Sequence, residues 1–303
     1  MRIVVTGREG QVVSSLVERG PRQGHDIIPL GRPELDLAGD PPSIIAALEA
    51  ARPDAIVSAA AYTAVDKAES EADLAFAINE HGAAAVACAA RRLLVPLVHL
   101  STDYVFDGSK ASPYSEEDAT GPTGAYGATK LAGEDAVLAE HKNCAVLRTA
   151  WVYSPSGANF GKTMLRLGAD RDEVRVVADQ IGNPTSALGI ADGVLAVAAN
   201  LPAGDDPAHR GIFHMSAVGE ASWAELAEAI FAASAEAGGP SATVTRITTA
   251  DYPTPARRPA NSRLDCSKLA RAHGVRLPQW RHSVKEVVSR LVKDAHSKQE
   301  LHH

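Results

Sequence analysis

Apolar residues in the first half of the chain fall into short runs separated by longer amphipathic stretches. Residues 3–6 make an apolar run of strand length, a glycine-bounded turn covers 7–10, and residues 11–18 return apolar side chains at helical spacing. Runs of the strand type recur at 26–30, 55–59, 97–100 and 145–149. Helical spacing fills 42–51, with Ser43 in the first turn, and 126–140. The Ala-rich stretch 64–92 predicts one long helix or two joined. Strands alternating with helices predict a doubly wound α/β fold, a parallel sheet with right-handed crossovers covered on both faces.

The second half is less regular. Strands are expected at 174–177, 211–214 and 242–247, and helices near 188–200, 222–236 and 283–292. Pro and Gly gather at 202–211, 239–240 and 252–259, which read as loops. There is no internal repeat and no long low-complexity linker. The expected division is a main domain over 1–150 and a smaller C-terminal α/β lobe over 151–300, with some segments of the second half returning to the first. Leu301, His302 and His303 read as a truncated tag remnant and stand outside this division.

Composition narrows the partners. Of 303 residues, 45% are hydrophobic and 22% charged, the mix of a water-soluble globular chain rather than a disordered one. The net charge of -7, with no dense Lys/Arg cluster, argues against a nucleic-acid partner. No run approaches the roughly 20 apolar residues of a membrane span, and no charged n-region precedes an apolar stretch. The expectation is a cytoplasmic protein without a membrane partner. Cys88, Cys144 and Cys266 are odd in number, far apart and lack metal-ligand spacing, so buried reduced thiols are expected and no metal ligand is assigned.

The turn Thr6-Gly7-Arg8-Glu9-Gly10-Gln11-Val12-Val13 follows the first predicted strand and opens the first predicted helix. Glycine at 7 and 10 permits a tight turn and close approach of backbone amides to a pyrophosphate, with the helix N-terminus adding partial positive charge. Val13 stands where a third glycine often sits, a departure that bears on packing more than on phosphate contact. This turn makes the expected fold a Rossmann-type, dinucleotide-binding one. At the tip of the second strand, Arg32 would suit the 2′-phosphate of NADPH. A solvated loop arginine is the alternative, so NADPH and NADH both stay open. Asp36 and Leu37 are candidates for holding the adenine.

Tyr126-Gly127-Ala128-Thr129-Lys130 sets a phenol and an ammonium at i and i+4 on one helix face. Carbonyl reduction by hydride needs a proton donor for the developing alkoxide. A free phenol has a pKa of about 10, which a nearby ammonium would lower. A hydroxyl beside the tyrosine would polarise the carbonyl as an oxyanion donor does. Thr102, at the carboxyl edge of the predicted sheet, is the choice for that donor, with Ser101 the fallback. His99 is expected to be a satisfied core histidine, and Asn79 and Asn183 to be turn or capping residues.

The order of glycine turn, Ser/Thr after a strand and Tyr-x-x-x-Lys resembles the extended short-chain dehydrogenase/reductase superfamily. Ala59 to Glu69 (AAAYTAVDKAE), Leu100 to Gly108 (LSTDYVFDG), Pro113-Tyr114 with Glu116 and Asp118, and Tyr126 through Glu134 narrow the likeness. So do Arg148 to Tyr153 (RTAWVY), Asp179-Gln180 with Gly182 and Pro184-Thr185, and Arg258-Pro259 with Asn261-Ser262 and Leu264-Asp265. Together they resemble the dTDP-4-dehydrorhamnose reductase family over nearly the whole length. The resemblance implies reduction of dTDP-4-dehydro-L-rhamnose to dTDP-L-rhamnose with NADPH or NADH. It implies that Gly10, Gln11 and Val12 touch the pyrophosphate and that Ala61, Tyr62 and Thr63 touch the cofactor. Tyr126 and Lys130 would serve cofactor and chemistry, and Thr102, Asp103 and Trp151 would meet the sugar. Arg258 is a candidate clamp for the ligand diphosphate, against the commoner role of an arginine in a salt bridge. Ser58 stands where the family usually has Asn. The resemblance admits a monomer or a homodimer, Mg²⁺-linked in some relatives, and no ligands for that ion are placed here. A nucleotide-sugar epimerase or dehydratase, and a regulatory subunit of the methionine adenosyltransferase type, are the alternatives.

Overall fold

The computed structural model describes residues 1–201 and 206–300, the side chains of 298–300 excepted. The tripeptide 301–303 and residues 202–205, which open the predicted 202–211 loop, lie outside the described residues.

The apolar run at the N-terminus is strand β1 (Arg2–Thr6), followed by α1 (Gln11–Arg19), β2 (Asp26–Leu30), α2 (Pro41–Ala51) and β3 (Ala55–Ser58). Helix α2 starts where it does because the Asp40 side chain accepts from the Ser43 amide and Pro41 sits in the first turn. The predicted 64–92 helix is interrupted. The chain forms α3 (Val65–Ala68), α4 (Ala72–Phe76), a π-helical segment over Ala77–Gly82 and α5 (Ala83–Leu93). The interruption has a tertiary cause. Glu69 accepts from the Ala125 amide at 2.9 Å and Glu71 from the Tyr62 hydroxyl at 2.5 Å, so both carboxylates are drawn towards other segments. Then come β4 (Leu97–Thr102), α6 (Ala125–Glu140) and β5 (Cys144–Thr149).

These five strands and the strand Gly211–His214 form one parallel sheet, ordered 211–214, β5, β4, β3, β1, β2. Alternation along β1 sends Ile3 and Val5 to one face and Val4 to the other. The first face is covered by α1 and the helix Ala187–Asn200, around Leu16, Ile190 and Val194. The second is covered by α2, α5 and α6, around Ile44, Leu48, Val86 and Val137. Every residue of β3, β4 and β5 is buried, as a two-sided parallel sheet requires. The winding direction reverses at β1, which lies between β2 and β3, so a crevice opens at its carboxyl end.

The rest of the second half has its own core around Ile230, Phe231, Trp280 and Val288. It contains the parallel pair Glu173–Val177 and Thr243–Ile247 and the helices Phe160–Asp170, Trp223–Glu236 and Trp280–Glu300. Ser222 and Glu225 form a reciprocal capping box at the start of Trp223–Glu236. Among the described residues no helix is long and apolar enough to cross a membrane. The three cysteines are free, but only Cys144 is buried. Cys88 and Cys266 are partly exposed, the first beside the Arg91 guanidinium at 3.9 Å, which corrects the expectation of three buried thiols.

Candidate active site

The glycine turn sits at the mouth of the crevice. Gly7 has φ 102°, and a Cβ there would stand 3.3 Å from Val13 Cγ2 and 3.4 Å from Ala60 Cβ. Val13, the departure from glycine, is core and crowds position 7, where the positive φ already favours glycine. Thr6 Oγ1 accepts from the Ala59 and Ala60 amides at 3.0 Å each, which fastens the end of β3 to the turn. Helix α1 begins after Gly10 with no side-chain cap and no acidic residue in its first turn. Its first amides and its dipole are therefore free for an anion. Gln11 Oε1 is buried without a hydrogen-bond partner. A side-chain-free cradle and uncapped amides together fit a dinucleotide pyrophosphate.

At the tip of β2, Arg32 is exposed and Asp36 folds back to accept from the Ala38 amide at 3.0 Å. Leu37 is buried in the core below α5. The sequence reading missed Arg8, which lies over Gly31 and pairs with Glu34 beside Arg32. Of the segment Ala61, Tyr62 and Thr63, the middle residue is pinned by Asn79. The Tyr62 amide donates to Asn79 Oδ1 at 2.8 Å. Asn79 Nδ2 donates to Tyr62 O at 3.1 Å and to Thr129 Oγ1 at 3.0 Å. Asn79, expected as a turn or cap residue, is thus a buried joint between the 61–63 segment and α6. It lies in the π-helical segment, a distortion frequent at functional sites.

Thr102 is the last residue of β4 and pairs with Thr149 on β5. Its hydroxyl donates to Asp103 Oδ1 at 3.0 Å, accepts from the Tyr104 amide at 3.2 Å and stands near enough to the Tyr126 phenol to lower its pKa. Ser101 instead donates to the buried Glu134 carboxylate, which turns the fallback donor into the interior. Tyr126 lies in the first turn of α6 with its ring edge-on to Tyr104 at 5.5 Å. Gly127 and Gly133 let α6 come this close. A Cβ at 127 would stand 2.2 Å from Tyr104 O, and one at 133 would stand 2.0 Å from Asn79 O. Lys130 is 2% exposed, and its Nζ donates to Leu100 O at 2.7 Å.

The electrostatics correct the expectation that Lys130 lowers the Tyr126 pKa. Burial pushes the phenol up to about 12, the Thr102 hydroxyl opposes this, and the Asp103 charge adds to it. The ammonium is turned towards Leu100 O, and burial pushes it down to about 8 against the attraction of Glu134. A phenol in this state keeps its proton at neutral pH, which suits a donor. Burial likewise raises Asp103 to about 6, opposed by the Ser262 and Thr102 hydroxyls.

Further residues escaped sequence reasoning or were misassigned. Glu134 on α6 forms a buried ion pair with Arg148 on β5, Nη2 to Oε2 2.6 Å and Nε to Oε1 2.9 Å, directly behind Lys130. His99 is buried with neither ring nitrogen hydrogen-bonded, so it is not the satisfied histidine expected. Burial, with the nearby Lys130 charge, holds its pKa well below the usual range and keeps it neutral. Asn183 bridges loops, donating to Gly219 O at 2.6 Å and accepting from the Leu264 amide at 2.8 Å. Arg258 is paired, its Nη2 donating to Asp66 Oδ2 at 2.9 Å, while its Nη1 is buried without a partner. Trp151 is half-buried and stacks on Trp223. Among the described residues no group of three or more His, Cys, Asp or Glu is arranged to hold a metal ion.

A doubly wound sheet with a glycine turn at its switch point, and Thr, Tyr and Lys side chains gathered at the carboxyl edge, defines a dinucleotide-dependent reductase of the short-chain dehydrogenase/reductase type. The family model described as RmlD substrate binding domain matches residues 1–293. A dTDP-4-dehydrorhamnose reductase of Sinorhizobium fredii is 51% identical over 96% of this chain and 98% of its own. The crystal structure of a dTDP-4-dehydrorhamnose reductase from Clostridium acetobutylicum is similar at TM-score 0.88 and 36% identity, over 96% of this chain and 99% of that one. The Bacillus anthracis enzyme of the same name, in complex with NADP, is similar at TM-score 0.86 and 35% identity, over 94% and 98%. The chain belongs to the dTDP-4-dehydrorhamnose reductase family.

Proposed function

We propose that this protein reduces the C4 ketone of dTDP-4-dehydro-L-rhamnose to give dTDP-L-rhamnose, with NADPH or NADH as reductant. The observation that carries the reading is the meeting of Thr102, Tyr126 and Lys130 at the sheet edge beside the Gly7–Gly10 turn, in a chain 51% identical to a reductase of that name. A bound nicotinamide supplies the hydride. Thr102 polarises the ketone oxygen and Tyr126 delivers its proton to the developing alkoxide. Lys130 holds the ribose of the cofactor. Gly7, Gly10, Gln11 and Val12 receive the pyrophosphate, while Ala61, Tyr62 and Thr63 line the cofactor, with Asp36 and Leu37 near its adenine. Arg32, helped by Arg8, favours the 2′-phosphate of NADPH. Asp103 and Trp151 meet the sugar, and Arg258, whose Nη1 has no hydrogen-bond partner, is the clamp for the diphosphate. The protein works in the cytoplasm as a monomer or homodimer, with neither nucleic acid nor membrane as partner.

The test is to supply dTDP-4-dehydro-L-rhamnose with each nicotinamide cofactor and identify the sugar formed. Stoichiometric oxidation of the cofactor with dTDP-L-rhamnose as product is expected. Nicotinamide retained by the purified protein without net consumption would favour an epimerase or dehydratase. No oxidation together with a co-purifying enzyme would favour a regulatory subunit.

A further inference from the structure

Trp151 leaves the sheet edge two residues after Thr149, the ladder partner of Thr102. Its φ of 48° lies in the left-handed region, where a bulky L-residue is rare and is held only by its surroundings. Three contacts hold it. The Thr185 amide donates to Trp151 O at 3.1 Å. Gly182 leaves space for the indole, since a Cβ there would stand 2.4 Å from Trp151 Cε2. Trp223 lies parallel to the Trp151 ring, centroids 3.7 Å apart and planes 8° apart.

Face-to-face overlap is the arrangement that ring quadrupoles disfavour, so mutual attraction alone does not set this pair. Trp223 is itself anchored. Its Nε1 donates to Gln180 Oε1 at 3.2 Å, Gln180 Nε2 donates to Thr249 Oγ1 at 3.0 Å, and the Phe160 ring leans on it at 4.7 Å. Trp223 is the first residue of a helix whose start is locked by the Ser222–Glu225 capping box. A disfavoured backbone and a disfavoured ring overlap therefore coincide where the second lobe meets the catalytic edge of the sheet.

We propose that Trp223 is a positioning residue for the sugar: its stack holds the Trp151 indole as an apolar platform for the C–H face and methyl group of a 6-deoxy-4-ketohexose. The inference rests on the reductase reading above. Trp223 acts through Trp151, setting the tilt of the ring that meets the substrate, and takes no part in cofactor binding.

The experiment compares the full-length wild type with Trp223→Leu, Trp223→Phe and Trp151→Leu. It reads steady-state kinetics with dTDP-4-dehydro-L-rhamnose and NADPH, together with the circular-dichroism couplet of paired indoles. The couplet is expected in the wild type and absent from all three variants. Trp223→Leu should raise KM for the sugar about tenfold with KM for NADPH unchanged, and Trp223→Phe should recover most of that loss because a ring remains. A wild type without the couplet, an unchanged sugar KM in Trp223→Leu, or an equal rise in both KM values overturns the proposal while leaving the reductase reading in place. A wild type that shows the couplet but reduces none of the sugar overturns both. Should Trp223→Leu fail to fold, Gln180→Ala, which releases the indole without removing it, is read in its place against the same outcomes.

Discussion

Tyr126 and Lys130 share a helix face because four residues make slightly more than one turn, and that much is legible from spacing alone. Their titration is not. Burial holds the phenol near 12 and the ammonium near 8, so both groups are protonated at neutral pH, the state in which Tyr126 can act as a donor. Tyr126→Phe is expected to lower kcat by about 10²–10⁴-fold while NADPH still binds, measured by turnover and by cofactor titration. Unchanged turnover would remove the phenol from the chemistry. Lys130 loses its charge as pH rises through about 8, so kcat/KM for NADPH, which reports the free enzyme, should fall above that pH. A profile flat to pH 10 would detach the ammonium from cofactor binding. Arg258 illustrates the limit of reading residues singly. Its guanidinium is half used by Asp66, a partner 192 residues away that no local pattern announces.

At the scale of elements, the alternation of strand and helix in the first half was readable because each element buries one periodic face. The stretch 64–92 misled for a physical reason. Its Ala-rich composition is helical throughout, yet Glu69 and Glu71 bond to other segments, and the chain underwinds into a π-helical segment at Asn79. That distortion carries the side chain joining residues 61–63 to α6. Asn79→Ala strands the Tyr62 amide and the Tyr62 carbonyl together, while the Thr129 hydroxyl keeps its bond to Tyr126 O. The expected cost is about 1–3 kcal/mol in chemical denaturation, with a raised KM for NADPH as residues 61–63 loosen. Lost stability without a change in KM would make the joint purely structural. The short strand 211–214 has the same lesson in reverse. It was legible as a strand, but only the fold placed it beside β5 rather than in the second lobe.

Among the described residues of the whole molecule, four histidines, His99, His141, His214 and His273, are buried, and burial lowers the pKa of each. Burial holds His214 near 3 and His273 near 4, and His99 well below its usual value. Between those values and the unfolded value of about 6.5, the unfolded chain binds more protons, so folding stability falls as pH drops through that window. A Tm series from pH 7 to 4 should decline, and less steeply in His214→Asn, which keeps a donor for Tyr114 O. A variant as steep as the wild type would shift the cause to other groups. What the amino-acid order determined unaided was local: the strand–helix alternation, the glycine turn, and the spacing of Thr102, Tyr126 and Lys130, each encoded within a few residues by periodicity and backbone freedom. Only the tertiary structure decided the break in 64–92, the partners of Arg258 and Glu134, the protonation of Tyr126 and the Trp151–Trp223 stack. These depend on burial and on contacts between residues far apart in the chain, which no window of sequence contains.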